Sequence, residues 1–353
     1  MYERLNVGHL PWRLRLAGYA DVFGLTRLAM SVRAHVPRRD LTVVQYHRVA
    51  GPEDVGAGDT DLVDATPEVF AAHLRFFRRY FVPVTLDMVR EARAGGEPLP
   101  QNPLLVTFDD GYLDNYTRAT PLLQRFGIRA VFFVATDYLS ARRLFWWDRI
   151  ALVIRRAKVS HLEITYPKAQ KWPLGDDKAR SQAIRATTRL VKDTFAMDVE
   201  RFLRELTEAC GVPWHEEEEA AAARQIVMGW EEARGMVRAG MDVQSHTRSH
   251  RVLASVPDEQ LSDELLGSRL EIEKHVGQVC DTIAYPVGRI IVDQPRLRQA
   301  VASAGYQLGF TNQIGTNPMD GSLDPFDWKR LRIDGDMPVA VTRGVAAFPW
   351  LGA

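Results

Sequence analysis

Short apolar runs alternate with amphipathic stretches along most of the chain. The runs are rich in aliphatic and β-branched residues and are short enough to be buried strands. The stretches between them have helical periodicity, and several carry helix-capping residues such as Thr66, Thr85 and Gly127. Repeated β-α units with continuous apolar strands predict a parallel sheet, either open or closed into a barrel. The strand-like runs are 41–46, 82–84, 104–108, 130–134, 240–245, 282–285, 305–311 and 328–333.

This alternation breaks between about residues 139 and 227. Helical patterns cover 183–195 and 199–210, and an acidic run, 216–219, leads into four alanines. We interpret the region as a helical insertion between consecutive barrel strands, since a long loop with its own secondary structure is usually functional. The acidic run beside His215 is predicted to be the solvated first turn of a helix rather than a metal site, because acidic residues favour helix N-termini.

The N-terminal segment, 1–40, is predicted to be a helical extension that precedes the barrel of 41–353. Arginines and one aspartate interrupt every apolar run, so neither a signal-peptide core nor a membrane span is expected. Two interpretations stay open: a basic amphipathic segment in peripheral contact with a membrane surface, or a helix packed on the outside of the main domain. The second is favoured, because most amphipathic helices serve a core. The basic residues are Arg13, Arg15, Arg27, Arg33, Arg38 and Arg39.

The composition is that of an ordinary globular protein. Of 353 residues, 46% are hydrophobic and 25% are charged, with 45 basic and 45 acidic side chains. This balance leaves no net field that would attract nucleic acid, so a nucleic-acid partner is not expected. Cys210 and Cys280 are the two cysteines, far apart and without a C-x-x-C pairing, and they are predicted to be reduced structural thiols.

Two strand-like runs end in groups that can do chemistry. Asp109 and Asp110, followed by Gly111, end the run 104–108, and His246 and His250 follow the run 240–245. Each motif alone has a plain alternative, a polar turn for the first and a chance spacing for the second. The carboxyl ends of parallel strands open on the same face of a barrel, however, so the two motifs are expected to meet.

Two histidines and one aspartate make a three-ligand metal site that keeps an open position, as catalytic sites do. The adjacent carboxylate can then take a proton from a water that the metal acidifies. Such a ligand set accepts zinc, cobalt, nickel, iron or manganese.

These residues resemble the polysaccharide deacetylases of the NodB-homology group, carbohydrate esterase family four. The first family motif, T-F-D-D-G, is similar to 107–111, and the second, H-[S/T]-x-x-H, is similar to 246–250. The resemblance implies an α/β fold, a distorted (β/α)7-type, TIM-like barrel that here carries the helical insertion. It also implies that Asp109 is the general base and that Asp110, His246 and His250 bind one divalent metal, most often zinc.

The third family motif, R-x-P-x-G, is only partly similar to 284–288. Its proline and glycine are present, but Ala284 replaces the arginine that usually orients the base. Arg289 and Arg332 are the candidate substitutes, and Arg332 is preferred because a terminal strand is expected to return to the barrel mouth. By the same resemblance, the backbone N–H of Val287 helps to stabilise the oxyanion.

The family's last motif supplies a histidine that protonates the leaving amine, but no histidine follows His275 in this chain. His47, at the end of the first strand, resembles the corresponding residue of the circularly permuted branch, which includes deacetylases of biofilm poly-N-acetylglucosamine. His47 is therefore the candidate general acid, with a structural histidine as the alternative. Tyr112, Tyr285 and Trp328 are candidate substrate contacts, although aromatic residues near barrel loops are often packing residues.

The predicted function is metal-dependent hydrolysis of N-acetyl groups from amino sugars of a bacterial exopolysaccharide or related glycan. One alternative is an amidohydrolase or deformylase that acts on a small or lipid-linked molecule. Another is a non-catalytic glycan-binding relative, since the third motif is degraded. The lack of a signal-peptide core favours the cytoplasm, with a peripheral membrane location as a variant, whereas the permuted enzymes that the chain resembles are mostly exported.

Overall fold

The computed structural model describes residues 10–33, 40–51, 54, 62–335 and 337–352. Twelve strands lie in these ranges, eight in one parallel sheet and the others in two small pairs. The strands are β1 Thr42–Tyr46, β2 Arg48–Val49, β3 Val63–Ala65, β4 Val82–Pro83, β5 Pro103–Phe108, β6 Ala130–Val134, β7 His161–Ile164, β8 Gln170–Pro173, β9 Asp242–Ser245, β10 Thr282–Ala284, β11 Leu308–Phe310 and β12 Leu331–Arg332.

Fifteen α-helices surround the sheet and fill its connections within the same described ranges. They are α1 Trp12–Val22, α2 Leu25–Arg33, α3 Pro67–Tyr80, α4 Leu86–Arg93, α5 Thr120–Arg125, α6 Thr136–Ala141, α7 Trp146–Arg156, α8 Asp177–Asp193, α9 Val199–Ala209, α10 Glu216–Ile226, α11 Trp230–Arg238, α12 Asp258–Ser262, α13 Ser268–Val276, α14 Pro295–Ser303 and α15 Val339–Ala347.

The main sheet runs in the order β11-β10-β9-β6-β5-β1-β12, with β4 beside β5. All of its strand pairs are parallel. A parallel bridge joins Phe310 of β11 to Trp328, which lies just before β12 on the other side of the order. The two ends of the sheet are therefore connected, which confirms the predicted distorted α/β barrel. The central strands β1, β5 and β6 are buried along their length, as expected when helices cover a parallel sheet.

Local sequence signals place several helices as predicted. The Thr66 side chain caps α3 by accepting the backbone N–H of Val69, and Thr85 caps α4 in the same way. Gly127 follows α5 with a φ of 62°, a conformation that favours glycine. The acidic run 216–219 forms the first turn of α10, as expected. Cys210 and Cys280 are both free and buried, which confirms their prediction as reduced thiols.

The region between β6 and β9 holds helices α6 to α10 around a hydrophobic core of its own. It also contains the antiparallel hairpin β7–β8, which the helical patterns did not predict. Tyr112, from the loop after β5, belongs to this second core together with Phe145 and Trp147. The insertion is thus packed directly on the segment that carries the aspartate pair, while its limits as a domain unit stay a prediction.

At the N-terminus, α1 lies against α15. Gly344 allows the close approach, because a Cβ there would lie 2.1 Å from the carbonyl oxygen of Ala17. An ion pair of 3.6 Å between Asp21 and Arg343 joins the same two helices. Residues 1–9 and 34–39, which include Arg38 and Arg39, lie outside the described residues. Among those described, no helix has the length and apolar character needed to cross a membrane.

Candidate metal centre and active site

The aspartate pair sits where β5 ends and the chain turns. The backbone N–H of Asp109 donates to the Tyr46 carbonyl at 2.9 Å, so Asp109 still lies alongside β1. The next residue, Asp110, has a φ of 78°, and Gly111 has a φ of 98°. Two consecutive residues in this sparsely allowed region make the turn sharp and direct the two carboxylates differently.

Asp110, His246 and His250 come together in the interior. The Oδ1 atom of Asp110 lies 3.5 Å from Nε2 of His246 and 3.2 Å from Nε2 of His250. Each residue offers one ligand atom, and the three atoms lie within 4.8 Å of one another. All three residues are buried, with exposed fractions of 7% or less.

The chemistry of these atoms fits a cation between them. His246 Nδ1 lies 2.7 Å from the carbonyl oxygen of Ala284, so the ring N–H is donated there and Nε2 keeps its lone pair. Asp110 Oδ1 is buried without a hydrogen-bond partner among the described residues. His246 Nε2 and Asp110 Oδ1 thus direct lone pairs into the same buried site, which favours a positive charge there, and a two-histidine, one-carboxylate set suits a divalent transition metal.

The loops that present the ligands are strained. Besides Asp110, Thr247 and His250 have positive φ values of 64° and 55°. Left-handed backbone in non-glycine residues costs free energy and persists where the surrounding structure enforces it, typically at functional sites. The strain therefore marks the same three-ligand cluster that the side-chain geometry defines.

The insertion holds His250 in a different way from His246. Nδ1 of His250 has no hydrogen-bond partner among the described residues, but its ring lies 4.3 Å from that of Trp147 at the start of α7. Trp147 Nε1 donates to the Tyr112 hydroxyl at 2.7 Å, and that hydroxyl donates to Asp148 at 3.0 Å. Ring packing and a buried hydrogen-bond chain thus link this histidine to the loop after Asp110.

Asp109 is held by an arginine that the sequence did not single out. Arg330 donates to both carboxylate oxygens, at 2.7 Å and 2.8 Å, and Gln45 donates to Oδ2 at 2.8 Å. Burial by itself would raise the pKa of Asp109, but the charge and hydrogen bonds of Arg330, together with the nearby His246 and His47, outweigh burial and the pKa is lowered. The carboxylate is therefore ionised and fixed in orientation, as a proton acceptor needs to be.

The prediction that Arg332 supports Asp109 is wrong. Arg332 is exposed and pairs with Asp334 at 2.8 Å, and the second candidate, Arg289, pairs with Asp193 on the surface. The predicted segment does reach the barrel interior, but the arginine that points inward is Arg330, two residues before Arg332. Arg330 is fully buried and also donates to the Thr311 carbonyl at 3.0 Å, which anchors it between the end of β11 and the aspartate.

His47 lies at the neighbouring strand end. Since Tyr46 of β1 is paired with Phe108 of β5, His47 and Asp109 leave adjacent strands side by side. Asp64 of β3 accepts the backbone N–H of His47 and lies 3.3 Å from its Nδ1. Burial would lower the pKa of His47, but the charge and hydrogen bond of Asp64, with smaller contributions from Asp110 and Asp109, raise it to about 9. The imidazolium form, which can donate a proton, is thus favoured.

The segment with the third motif also reaches the site. Ala284 binds His246 through its carbonyl, and Val287 lies three residues later in a turn, with a φ of 62°. The role of the Val287 N–H in stabilising an oxyanion stays a prediction.

The three aromatic residues predicted to contact substrate are instead packing residues. Tyr112, Tyr285 and Trp328 are 0%, 2% and 1% exposed. Tyr285 donates from its hydroxyl to the Phe326 carbonyl at 3.2 Å, so both ends of the side chain are enclosed. No accessible ring face remains for a sugar, and these predictions were wrong.

Comparison with known proteins identifies the family. The sequence pattern of the family described as polysaccharide deacetylase matches residues 96–165 and 184–309, more than half of the chain. The chain belongs to the polysaccharide deacetylase family, which are hydrolases of amide bonds. The matched region contains Asp109, Asp110, His246 and His250, whereas His47 lies outside it.

Individual relatives agree with this assignment. A poly-β-1,6-N-acetyl-D-glucosamine N-deacetylase of Escherichia coli (strain K12) is 34% identical over 96 residues, which are 27% of this chain and 14% of that protein. The chain therefore aligns with only a small part of that relative's length.

Two solved structures share the fold. The deacetylase PplD of Streptococcus pyogenes, in complex with acetate, has a TM-score of 0.54 at 18% identity and covers 87% of this chain and 97% of its own. IcaB of Ammonifex degensii has a TM-score of 0.53 at 20% identity and covers 90% of this chain and 98% of its own. At these identities the likeness concerns the fold alone.

Proposed function

We propose that this protein is a metal-dependent N-deacetylase that hydrolyses N-acetyl groups on amino sugars of a bacterial exopolysaccharide or a related glycan. One observation carries the proposal: the three-ligand cluster includes the neighbour of an ionised carboxylate, Asp109, and a protonatable imidazole, His47, lies at the end of the adjacent strand. Amide hydrolysis needs both, since a proton must leave the attacking water and another must reach the departing amine. The family membership supports the same reaction.

Asp110, His246 and His250 are the residues that would hold the metal. A bound divalent cation supplies Lewis acidity, which polarises a carbonyl and lowers the pKa of water. The ligand set accepts zinc, which we propose first, as well as cobalt, nickel, iron and manganese. The unpartnered Oδ1 of Asp110 supports this assignment.

Asp109 acts as the base in the proposed reaction. Its carboxylate accepts one proton of the water whose oxygen forms the new bond to the acetyl carbon. Arg330 and Gln45 donate hydrogen bonds to the carboxylate and fix its orientation. The side chain therefore needs little reorganisation when it accepts the proton. The Val287 N–H donates to the carbonyl oxygen as negative charge develops there.

His47 acts as the acid. When the bond between the acetyl carbon and the nitrogen breaks, the imidazolium of His47 gives its proton to the nitrogen, and acetate and the free amino sugar result. Asp64 favours the protonated imidazole before this step and fixes the ring through Nδ1, so that Nε2 is the donating atom.

The glycan class is proposed from the relatives. The Escherichia coli relative is named for poly-β-1,6-N-acetyl-D-glucosamine, and the family pattern is that of polysaccharide deacetylases. An N-acetylated β-1,6-glucosamine oligomer is therefore the first substrate to test, and a chito-oligosaccharide of the same length is the matched comparison.

Acetate release measured across a substrate panel separates the candidate functions. We expect release from at least one N-acetylated amino-sugar oligomer, with much slower hydrolysis of acetamides and formamides. A preference for formamides or small acetamides would assign the protein to general amidohydrolases. Glycan binding without any acetate release by the metal-loaded protein would instead make it a binding relative.

A further inference from the structure

Large apolar side chains are exposed mainly in the N-terminal helices. Eight of the fourteen exposed large hydrophobic residues in the described chain fall between residues 12 and 32. Single exposed apolar residues are normal, but a contiguous group marks an interaction surface. The eight are Trp12, Leu16, Tyr19, Val22, Phe23, Leu25, Leu28 and Val32.

The spacing of these residues places seven of the eight, all but Val22, in two stripes. Trp12, Leu16 and Tyr19 of α1 recur at intervals of four and three, and Phe23 continues the series directly after the helix. Residues 25, 28 and 32 of α2 follow the same rule. Side chains at such intervals lie on one face of a helix. The opposite side of α1 is already used, since Ala17 and Gly18 are buried there, with Ala17 in close contact with α15.

The charges beside the stripes are positive. Residues 10–33 contain four arginines and a single acidic residue, Asp21. Asp21 lies on the side of Arg343 of α15 and is half-buried. Arg13, Arg15 and Arg27 are exposed. Aromatic and aliphatic side chains flanked by arginines are the composition of a helix that lies in the interface of an anionic bilayer.

We propose that the outward face of α1 and α2 docks onto an anionic lipid surface. We define this face by its two stripes of exposed apolar residues and its arginines. No described helix crosses a membrane, so the contact is peripheral. The proposal concerns where the protein sits and does not depend on the reaction that it catalyses.

The docking face lies next to the chain segment that follows β12. A cavity of about 450 Å³ extends from Trp12 and Arg13 to Arg332 and Asp334, on the chain that follows β12. The next residue, Gly335, lies against β3, since a Cβ there would lie 1.8 Å from the Val63 carbonyl oxygen, and Asp64 of β3 binds His47. The docking face thus lies on the same side of the barrel as β3 and His47.

A second copy of the chain is a less suitable occupant. Two such faces would bring their arginines together, and like charges across an interface oppose association. Anionic lipid complements both the apolar stripes and the positive charge of this face, whereas an apolar protein surface would complement only the stripes.

Co-sedimentation of the full chain with vesicles tests the proposal. One vesicle is phosphatidylcholine alone, and the other is phosphatidylcholine mixed with phosphatidylglycerol. We expect binding to the mixed vesicles that weakens with salt. Phe23→Ser with Leu28→Ser should reduce binding roughly tenfold or more, because two strongly exposed apolar side chains are lost. Arg27→Gln should reduce it about fivefold.

Leu270→Ser with Val279→Ser is the matched control, because these apolar residues are also more than half exposed, at 53% and 65%, and lie on another part of the barrel. The control should bind like the wild type, and all variants should keep the wild-type Tm. Failure of the wild type to bind mixed vesicles, or equal loss in the control pair, would overturn the proposal. So would a wild-type dimer in sedimentation velocity that Phe23→Ser with Leu28→Ser dissociates.

Discussion

Arg330 donates two parallel hydrogen bonds, of 2.7 Å and 2.8 Å, to the carboxylate of Asp109, although the two residues are 221 positions apart in the chain. Both side chains are buried. A fork-to-fork pair of this kind fixes direction as well as charge. The third motif of the family has an arginine where this chain has Ala284. Here the guanidinium of Arg330, just before β12, binds Asp109 instead.

Arg330→Lys should lower kcat/KM roughly tenfold or more, because a lysine keeps the charge but cannot make the bidentate contact. Arg332→Lys should leave activity unchanged, since Arg332 is exposed and pairs with Asp334. Steady-state kinetics with Tm measured alongside checks both variants. If Arg332→Lys were the damaging one, the assignment of Arg330 would be wrong.

The pairing of His47 with Asp64 predicts a pH effect. The pKa of His47 is raised to about 9, so its acidic form is present below that pH and is lost as the pH rises through it. Asp64→Asn removes the largest of the charges that raise this pKa, and the alkaline limb of the kcat profile should move down by about one pH unit or more. Asp320→Asn, on an exposed loop, should leave the profile unchanged. An unshifted limb in Asp64→Asn would argue against His47 as the acid.

Trp147 is expected to support metal binding through His250, whose Nδ1 has no hydrogen-bond partner among the described residues. Trp147→Leu should weaken zinc affinity roughly 10- to 100-fold in a chelator competition, the usual cost of losing a group that orients a ligand. Trp147→Phe keeps a ring and should recover part of the loss. Trp350→Leu is the control, because that tryptophan is exposed. Equal affinity in Trp147→Leu and the wild type would refute the role.

Gly288 leaves space for Asn312, which accepts a hydrogen bond from Arg330. A Cβ at this position would lie 2.1 Å from Cγ of Asn312, whose Oδ1 accepts a hydrogen bond from Arg330 at 2.8 Å. Gly288→Ala should therefore reduce both kcat and stability. Gly321→Ala is the matched control, since Gly321 also has a positive φ but has no atom within 4 Å of a built Cβ.

The control should show only the backbone cost of about 1–2 kcal/mol, with unchanged kcat. Gly288→Ala should lose a further ~1–3 kcal/mol of unfolding free energy, measured by denaturant titration. Similar losses of stability in both variants, with unchanged kcat in both, would show that Asn312 does not need this space.

The sequence predicted the barrel and the cluster of Asp109, Asp110, His246 and His250 well, for a physical reason. Buried parallel strands are continuous apolar runs, and their carboxyl ends share one face, so residues that follow two such runs must meet. The permuted position of His47 also follows from topology, since β1 lies directly beside β5.

The residues that bind or pack against the site residues could not be predicted in the same way. Asp64 lies on a three-residue strand with no distinctive pattern, and Gln45 lies inside a buried strand, so neither carries a local signal. The choice between Arg330 and Arg332 depended on where the last segment enters the barrel, which the sequence does not mark. Tyr112 and Trp147 form a contact between the insertion and the barrel that only the folded chain creates.

Asp109→Asn tests whether Asp109 is the catalytic base beside a metal that Asp110, His246 and His250 hold. Metal content and acetate release are measured on the same preparation. The amide keeps the shape of the carboxylate but cannot accept the water's proton, and it leaves the three ligands Asp110, His246 and His250 in place. We expect a full metal complement together with the loss of most acetate release from an N-acetylated amino-sugar oligomer. Stoichiometric metal with wild-type acetate release would contradict this expectation.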